Sequence, residues 1–238
     1  MPSALDIEQL DINEDSSALE SVKGKRIGRL VVHIQGTRDP EYIAACKSVD
    51  HLELWSWREQ DLTSISNLRV NYLRMIRGRQ TSVKGLNTEW LKMVWLHACG
   101  KVRTLEIPRL PRLWLWASNN FNLDTLGAID GLAILDIGMR KEINSLEFVA
   151  RCRDLKCLSI DTYAWKTQNF KPLAEAPELE LVGFTRLKPA LIEEISASNT
   201  KLLVGSTGSN FFMKAGHRVD DDEYLKRRKA FNDQYGGE

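Results

Sequence analysis

Cysteine and histidine are both scarce, with four of each among 238 residues. Cys46, Cys99, Cys152 and Cys157 show no CxxC spacing and no regular framework, which excludes a disulfide-stapled scaffold and a cysteine-based zinc site. His33, His51, His97 and His217 are scattered and lack the HExxH spacing of a metalloprotease. No serine sits in a Gly-x-Ser-x-Gly elbow, and the run from Gly205 to Ser209 lacks the Gly-Lys-Ser/Thr ending of a phosphate loop. No stretch approaches about 18 consecutive apolar residues, so no transmembrane span is expected. The first residues lack a basic region followed by an apolar core, so no secretory signal is expected either. These absences predict a non-enzymatic protein with no catalytic residues, no metal and no cofactor, in a reducing, cytoplasmic setting.

What the chain does have is unevenly placed charge. The formal net charge is only +1. Yet residues 1–20 hold Asp6, Glu8, Asp11, Glu14, Asp15 and Glu20 with no base. Between Arg69 and Arg112 stand ten bases and two acids, Glu89 and Glu106. The middle of the chain is therefore locally positive, a property that steers partners rather than sets a fold.

The organising feature is a recurring phrase with apolar residues at its first, fourth and sixth places. It runs Ile27/Leu30/Val32, Val49/Leu52/Leu54, Val70/Leu73/Met75 and Leu91/Val94/Leu96. It continues as Leu110/Leu113/Leu115, Leu132/Leu135/Ile137, Leu155/Leu158/Ile160 and Leu179/Val182/Phe184, with a degraded ninth at Thr200/Leu203/Gly205. Successive starts lie 22, 21, 21, 19, 22, 23, 24 and 21 residues apart. Such a phrase predicts parallel strands stacked one per repeat, each too small to bury its apolar side alone. The return segments repeat an apolar pair three residues apart, as in Leu62/Ile65, Val83/Leu86, Leu123/Leu126, Phe170/Leu173 and Ile192/Ile195. That spacing predicts a single turn of α- or 3₁₀-helix. Fuller helices are expected after Asp39-Pro40, from Pro189, and over Asn144–Arg151.

Over roughly residues 27–205 these features resemble a leucine-rich-repeat protein of the short, irregular kind common in bacteria. The resemblance implies an α/β leucine-rich-repeat solenoid, with a parallel β-sheet on the concave side and short helices or 3₁₀ turns on the convex side. The family's ninth-place Asn or Cys is met only by Cys99, among Gln35, Trp57, Gly78, Ser118, Arg140, Tyr163 and Leu187, so a buried asparagine ladder is not expected. The expected organisation is an acidic N-terminal lead-in or cap (1–24), a leucine-rich-repeat domain of eight to nine repeats (25–208), and a C-terminal cap with a charged helix (209–238). In that last segment Phe211–Met213 is an apolar patch suited to sealing the final repeat. The acids from Asp220 precede the bases Lys226–Lys229, an order that suits a helix dipole.

If the triplets point inward, the third, fifth and seventh places point outward. Four of the seven tryptophans then face out: Trp55, Trp95, Trp114 and Trp116. With strands about 4.8 Å apart, Trp95 would neighbour Trp114, and His97 would neighbour Trp116. Tyr72 borders this patch, with Asp136 and Asp161 on one rim and Arg74 and Arg112 on the other. An aromatic surface of this kind is unfavourable in water unless something covers it. A protein partner, a second copy of the chain, or the chain's own tail would each serve. In leucine-rich-repeat proteins the concave surface is the usual partner-binding side, so the resemblance implies a protein-protein interaction module. One concrete form is an immunity protein that neutralises a bacterial toxin domain. Nucleic-acid binding through the basic middle and stacking rings is the alternative, as is carbohydrate binding; scattered bases argue against the former and an open sheet against the latter.

Overall fold

The computed structural model describes residues 5–12, 16–35, 38–139, 142–162, 165, 169–206 and 211–235. Glu14, Asp15, Arg140, Tyr163 and residues 207–210, all considered above, lie outside them. The architecture is mixed α/β, with a largely parallel sheet and short helices. The chain divides into two compact units, Met1–Leu110 with Asn120–Asn122, and Pro111–Asn119 with Leu123–Glu238.

In the first unit five strands run parallel in sequence order: β1 (Ile7–Ile12), β2 (Arg26–His33), β3 (Ser48–Trp55), β4 (Arg69–Ile76) and β5 (Met93–His97). Their register places like positions of the phrase opposite one another. Leu30, Leu52, Leu73 and Val94 form one row, and Val32, Leu54, Met75 and Leu96 another. Every member of these rows is at most 1% exposed. Burying a side chain of this size contributes roughly 1.5–3 kcal/mol, so the rows account for much of the cohesion between strands. β1 lies within the stretch expected as a lead-in. Its Ile7, Leu10 and Ile12 pair with Ile27, Leu30 and Val32, so the phrase begins one strand earlier than the triplets above.

In the second unit β6 (Arg112–Trp116), β7 (Ile134–Met139), β8 (Cys157–Thr162), β9 (Leu181–Phe184) and β10 (Leu203–Ser206) are parallel. Leu113, Leu135, Leu158, Val182 and Val204 make one inward row, all fully buried. This register corrects the ninth triplet. Val204 and Ser206 stand opposite Val182 and Phe184, while Leu203 pairs with Leu181 on the outward face. The degraded phrase had concealed a shift of one residue, which moves every side chain to the other side of a strand. Antiparallel β11 (Phe211–Lys214) and β12 (His217–Val219) follow β10, so the parallel pattern ends there.

Return segments are short. They include α1 (Asp39–Ala44), α2 (Glu147–Arg151), α3 (Lys171–Glu175) and α4 (Pro189–Ser198), with 3₁₀ turns at Thr63–Ile65 and Leu123–Ala128. Asp39 lies inside α1 rather than before it, and its Oδ2 accepts a bond from the Gln35 N–H at 2.9 Å. At the eighth place the chain leaves the strand through a left-handed residue: Ser56, Arg77, Ala98, Ala117 and Arg186 have φ of 52–59°. The N–H groups of Ser56 and Arg77 donate to the carbonyls of Ile76 and His97 on the following strand, which offsets the strain of that conformation. No helix among the described residues is long and apolar enough to cross a membrane.

The last helix, α5 (Asp221–Tyr235), has a different role from the returns. Its Tyr224 and Phe231 are buried with Ile134, Cys157, Leu181, Leu203 and Phe212. Four of those partners form one outward row of the second-unit sheet, so the chain's own tail covers that row.

Candidate functional site

The ten residues expected to contact a partner divide between the units. Trp55, Tyr72, Arg74, Trp95 and His97 belong to the first; Arg112, Trp114, Trp116, Asp136 and Asp161 belong to the second. The expected pairs Trp95–Trp114 and His97–Trp116 therefore draw one member from each.

On the first unit, flat groups from neighbouring strands lie over one another. His33 stacks on Trp55 with centroids 4.8 Å apart and planes 10° apart. His51 stacks on Tyr72 at 4.3 Å, also at 10°. The Arg74 guanidinium sits 3.8 Å from the centroid of the Trp95 ring. Each pair occupies directly opposed register positions, so the parallel ladder itself sets the stacking distance. Such contacts fix long side chains before any partner arrives, and a guanidinium over an indole contributes about 0.5–2 kcal/mol.

Beneath these groups lies Glu53, whose side chain is only 10% exposed. It accepts a hydrogen bond from Trp55 Nε1 at 2.7 Å and meets Arg29 at 3.3 Å and Arg74 at 3.2 Å. One carboxylate thus serves two guanidiniums, and the cluster retains a positive charge. The Arg29 side chain is 49% exposed and directs that charge to solvent. Trp55, Tyr72, Arg74, Trp95 and His97 are all half-buried. Met93 and Ile76 fill the gaps between them and are nearly covered. The outward columns contain Glu53, Arg29, His33 and His51, but ranking by aromatic content passes over them. The signal available was Glu53 two residues before Trp55 on the same face, level with Arg74.

The second unit differs, and two expected rim residues are corrected. Asp136 is 8% exposed and Arg112 is 7% exposed, so neither forms an open rim. Arg228 of α5 reaches both oxygens of Asp136, at 2.6 and 2.8 Å, while Arg112 lies 3.7 Å away. Arg228 also donates to Cys157 Sγ at 2.8 Å. Burial opposes the charge on Arg228, but the Asp136 carboxylate outweighs it and holds the guanidinium above its ordinary pKa. Burial pushes the Cys157 thiol up to about 11, and burial likewise raises the Tyr224 phenol. These groups lock a helix onto a sheet. Arg228 and Asp136 satisfy one another, and Arg112 shares the same carboxylate from further away.

Trp114 is half-buried opposite Asp136, and Trp116 is 36% exposed opposite Gly138. Asp161 is half-buried and accepts a bond from Thr185 Oγ1 at 2.5 Å. Trp57 is fully buried, with Nε1 donating to the Asp61 carbonyl at 2.9 Å. The four thiols are buried and unpaired in disulfides. Among the described residues, the grouping with spacing for a cation is Asp220, Asp221 and Asp222 at the start of α5. There Asp220 Oδ1 already caps the Asp222 N–H at 3.1 Å. A scan against models of known protein families finds no match, and a search of curated proteins finds none either.

Proposed function

We propose that the chain is a leucine-rich-repeat solenoid, with parallel strands on its concave side and short helices or 3₁₀ turns on its convex side. In this reading it is a non-enzymatic recognition module, without cofactor, that holds one protein partner through the outward face of β2–β5. The fold reading is supported by the periodic triplets, whose members line the buried rows of both units.

One observation carries the functional reading. The stacked pairs His33–Trp55 and Arg74–Trp95 share the Glu53 carboxylate through Trp55 and Arg74, His51 stacks on Tyr72 beside them, and the rings of all three remain half-exposed. Trp, Tyr and Arg dominate binding energy at protein interfaces, and ordering them in advance lowers the entropic cost of association. The residual positive charge suits an acidic partner and speeds its capture. By analogy with the interaction roles of the family, a toxin domain bound in the cytoplasm is one concrete form of that partner.

Purification of the tagged chain from its native host tests the reading. A specific protein should be retained, and a Trp55→Ala, Trp95→Ala variant should bind it at least about 30-fold more weakly, as expected for loss of a central anchor. The circular dichroism should not change. Retention of the same protein at equal affinity would exclude this face.

A further inference from the structure

In the second unit, a separate arrangement lies along the outward ends of β6, β7 and β8. Trp116, Gly138 and Asp161 stand opposite one another in register. A Cβ added to Gly138 would lie 2.0 Å from Cε3 and 2.4 Å from Cζ3 of the Trp116 ring. The indole therefore lies across β7, in space that only glycine leaves open. Trp116 is 36% exposed, among the most exposed large apolar side chains of the described residues.

Asp161 stands one strand further on. Its Oδ1 accepts the Thr185 hydroxyl bond at 2.5 Å. That neutral donor fixes the carboxylate without cancelling its charge. The backbones of Trp116 and Asp161 stand two strands, about 10 Å, apart, and the ring laid over Gly138 occupies the strand between them, next to the one that bears the carboxylate. The ring quadrupole attracts a cation held within about 6 Å of the centroid, and the carboxylate adds a charged acceptor at its edge. An anionic group at the same place would meet repulsion from Asp161.

We propose that Trp116, Gly138 and Asp161 form a subsite for a basic side chain, lysine or arginine, of a protein partner. Its chemistry is opposite in sign to that of the first-unit face, and it does not depend on that face. Trp116 supplies the platform, Gly138 lets the platform lie flat, and Asp161 selects charge. Thr185 is a positioning residue that holds the carboxylate.

The test uses the full chain labelled with ¹⁵N at its tryptophan indoles. The Trp116 signal is assigned by its loss in Trp116→Phe. Nα-acetyl-lysine amide, its norleucine counterpart and methyl glucoside are titrated in turn. The lysine probe should shift the Trp116 signal, and the two uncharged probes should not. Asp161→Asn keeps an acceptor for Thr185 and should weaken the lysine response by about tenfold, the loss of one charged contact. An equal shift with norleucine would reduce the feature to a generic apolar surface, and an equal shift with the glucoside would make it a sugar platform. Either result overturns the proposal, as does unchanged lysine binding by Asp161→Asn.

Discussion

Glu53 shows how much one side chain can decide on an outward face. Its carboxylate takes the Trp55 indole N–H and lies against Arg29 and Arg74. Glu53→Ala would leave that N–H without its acceptor and the two guanidiniums without their shared counter-charge. The expected cost is roughly 1–3 kcal/mol, read as a lower urea midpoint. Glu53→Gln should cost less, because the amide oxygen can still accept from Trp55. Equal stability of all three proteins would mean that the cluster contributes nothing to order. The aromatic residues of this face were legible in the sequence because alternation alone puts them outward. Glu53 was not, because a glutamate at an outward place reads as solvated until neighbouring rings exclude water from it.

Among the elements, the strands were legible and the tail was not. The triplets predict β2–β9 because inward rows need apolar residues at fixed places whatever lies between them. β1 escapes because Glu8, Gln9 and Asp11 surround its Ile7/Leu10/Ile12 triplet with polar residues. β10 escapes by one residue because Gly205 and Ser206 blur the phrase. α5 reads as a solvated helix because most of its side chains are charged. Yet Tyr224 and Phe231, seven residues apart, share one side, with Arg228 between them on that same side. Its contact with Asp136 spans 92 residues of sequence, which no local pattern reveals. Arg228→Met should therefore destabilise the second unit by roughly 3 kcal/mol, since it leaves a buried carboxylate with Arg112 alone, 3.7 Å away. Hydrogen exchange over residues 221–235 should accelerate with it. If both stability and exchange stay as in the parent protein, α5 is not docked through this pair.

Across the molecule, four buried thiols tie stability to alkaline pH. Burial pushes Cys46, Cys152 and Cys157 from an ordinary 9.0 up to about 11, and raises Cys99 as well. Cys46 and Cys99 belong to the first unit and Cys152 and Cys157 to the second, so neither unit escapes the effect. A thiol whose folded pKa is raised is protonated in both states below the unfolded value, and its contribution is then fully present. Between pH 9 and about 11 the unfolded chain releases its protons first, so it holds fewer than the folded chain and stability falls as pH rises. The slope is about 1.4 kcal/mol per pH unit for each proton so withheld. Thermal unfolding followed by circular dichroism should accordingly show no thiol-dependent change up to pH 9 and a steep decline from there to pH 11. Cys152→Ala should make that decline shallower, while costing some stability at neutral pH through the space it leaves in the core. A thiol reagent should react slowly with the folded protein at pH 8 and at once in urea. Rapid reaction of all four thiols in the folded protein would show that water reaches the interior, and the buried rows that join the strands could not then be closed.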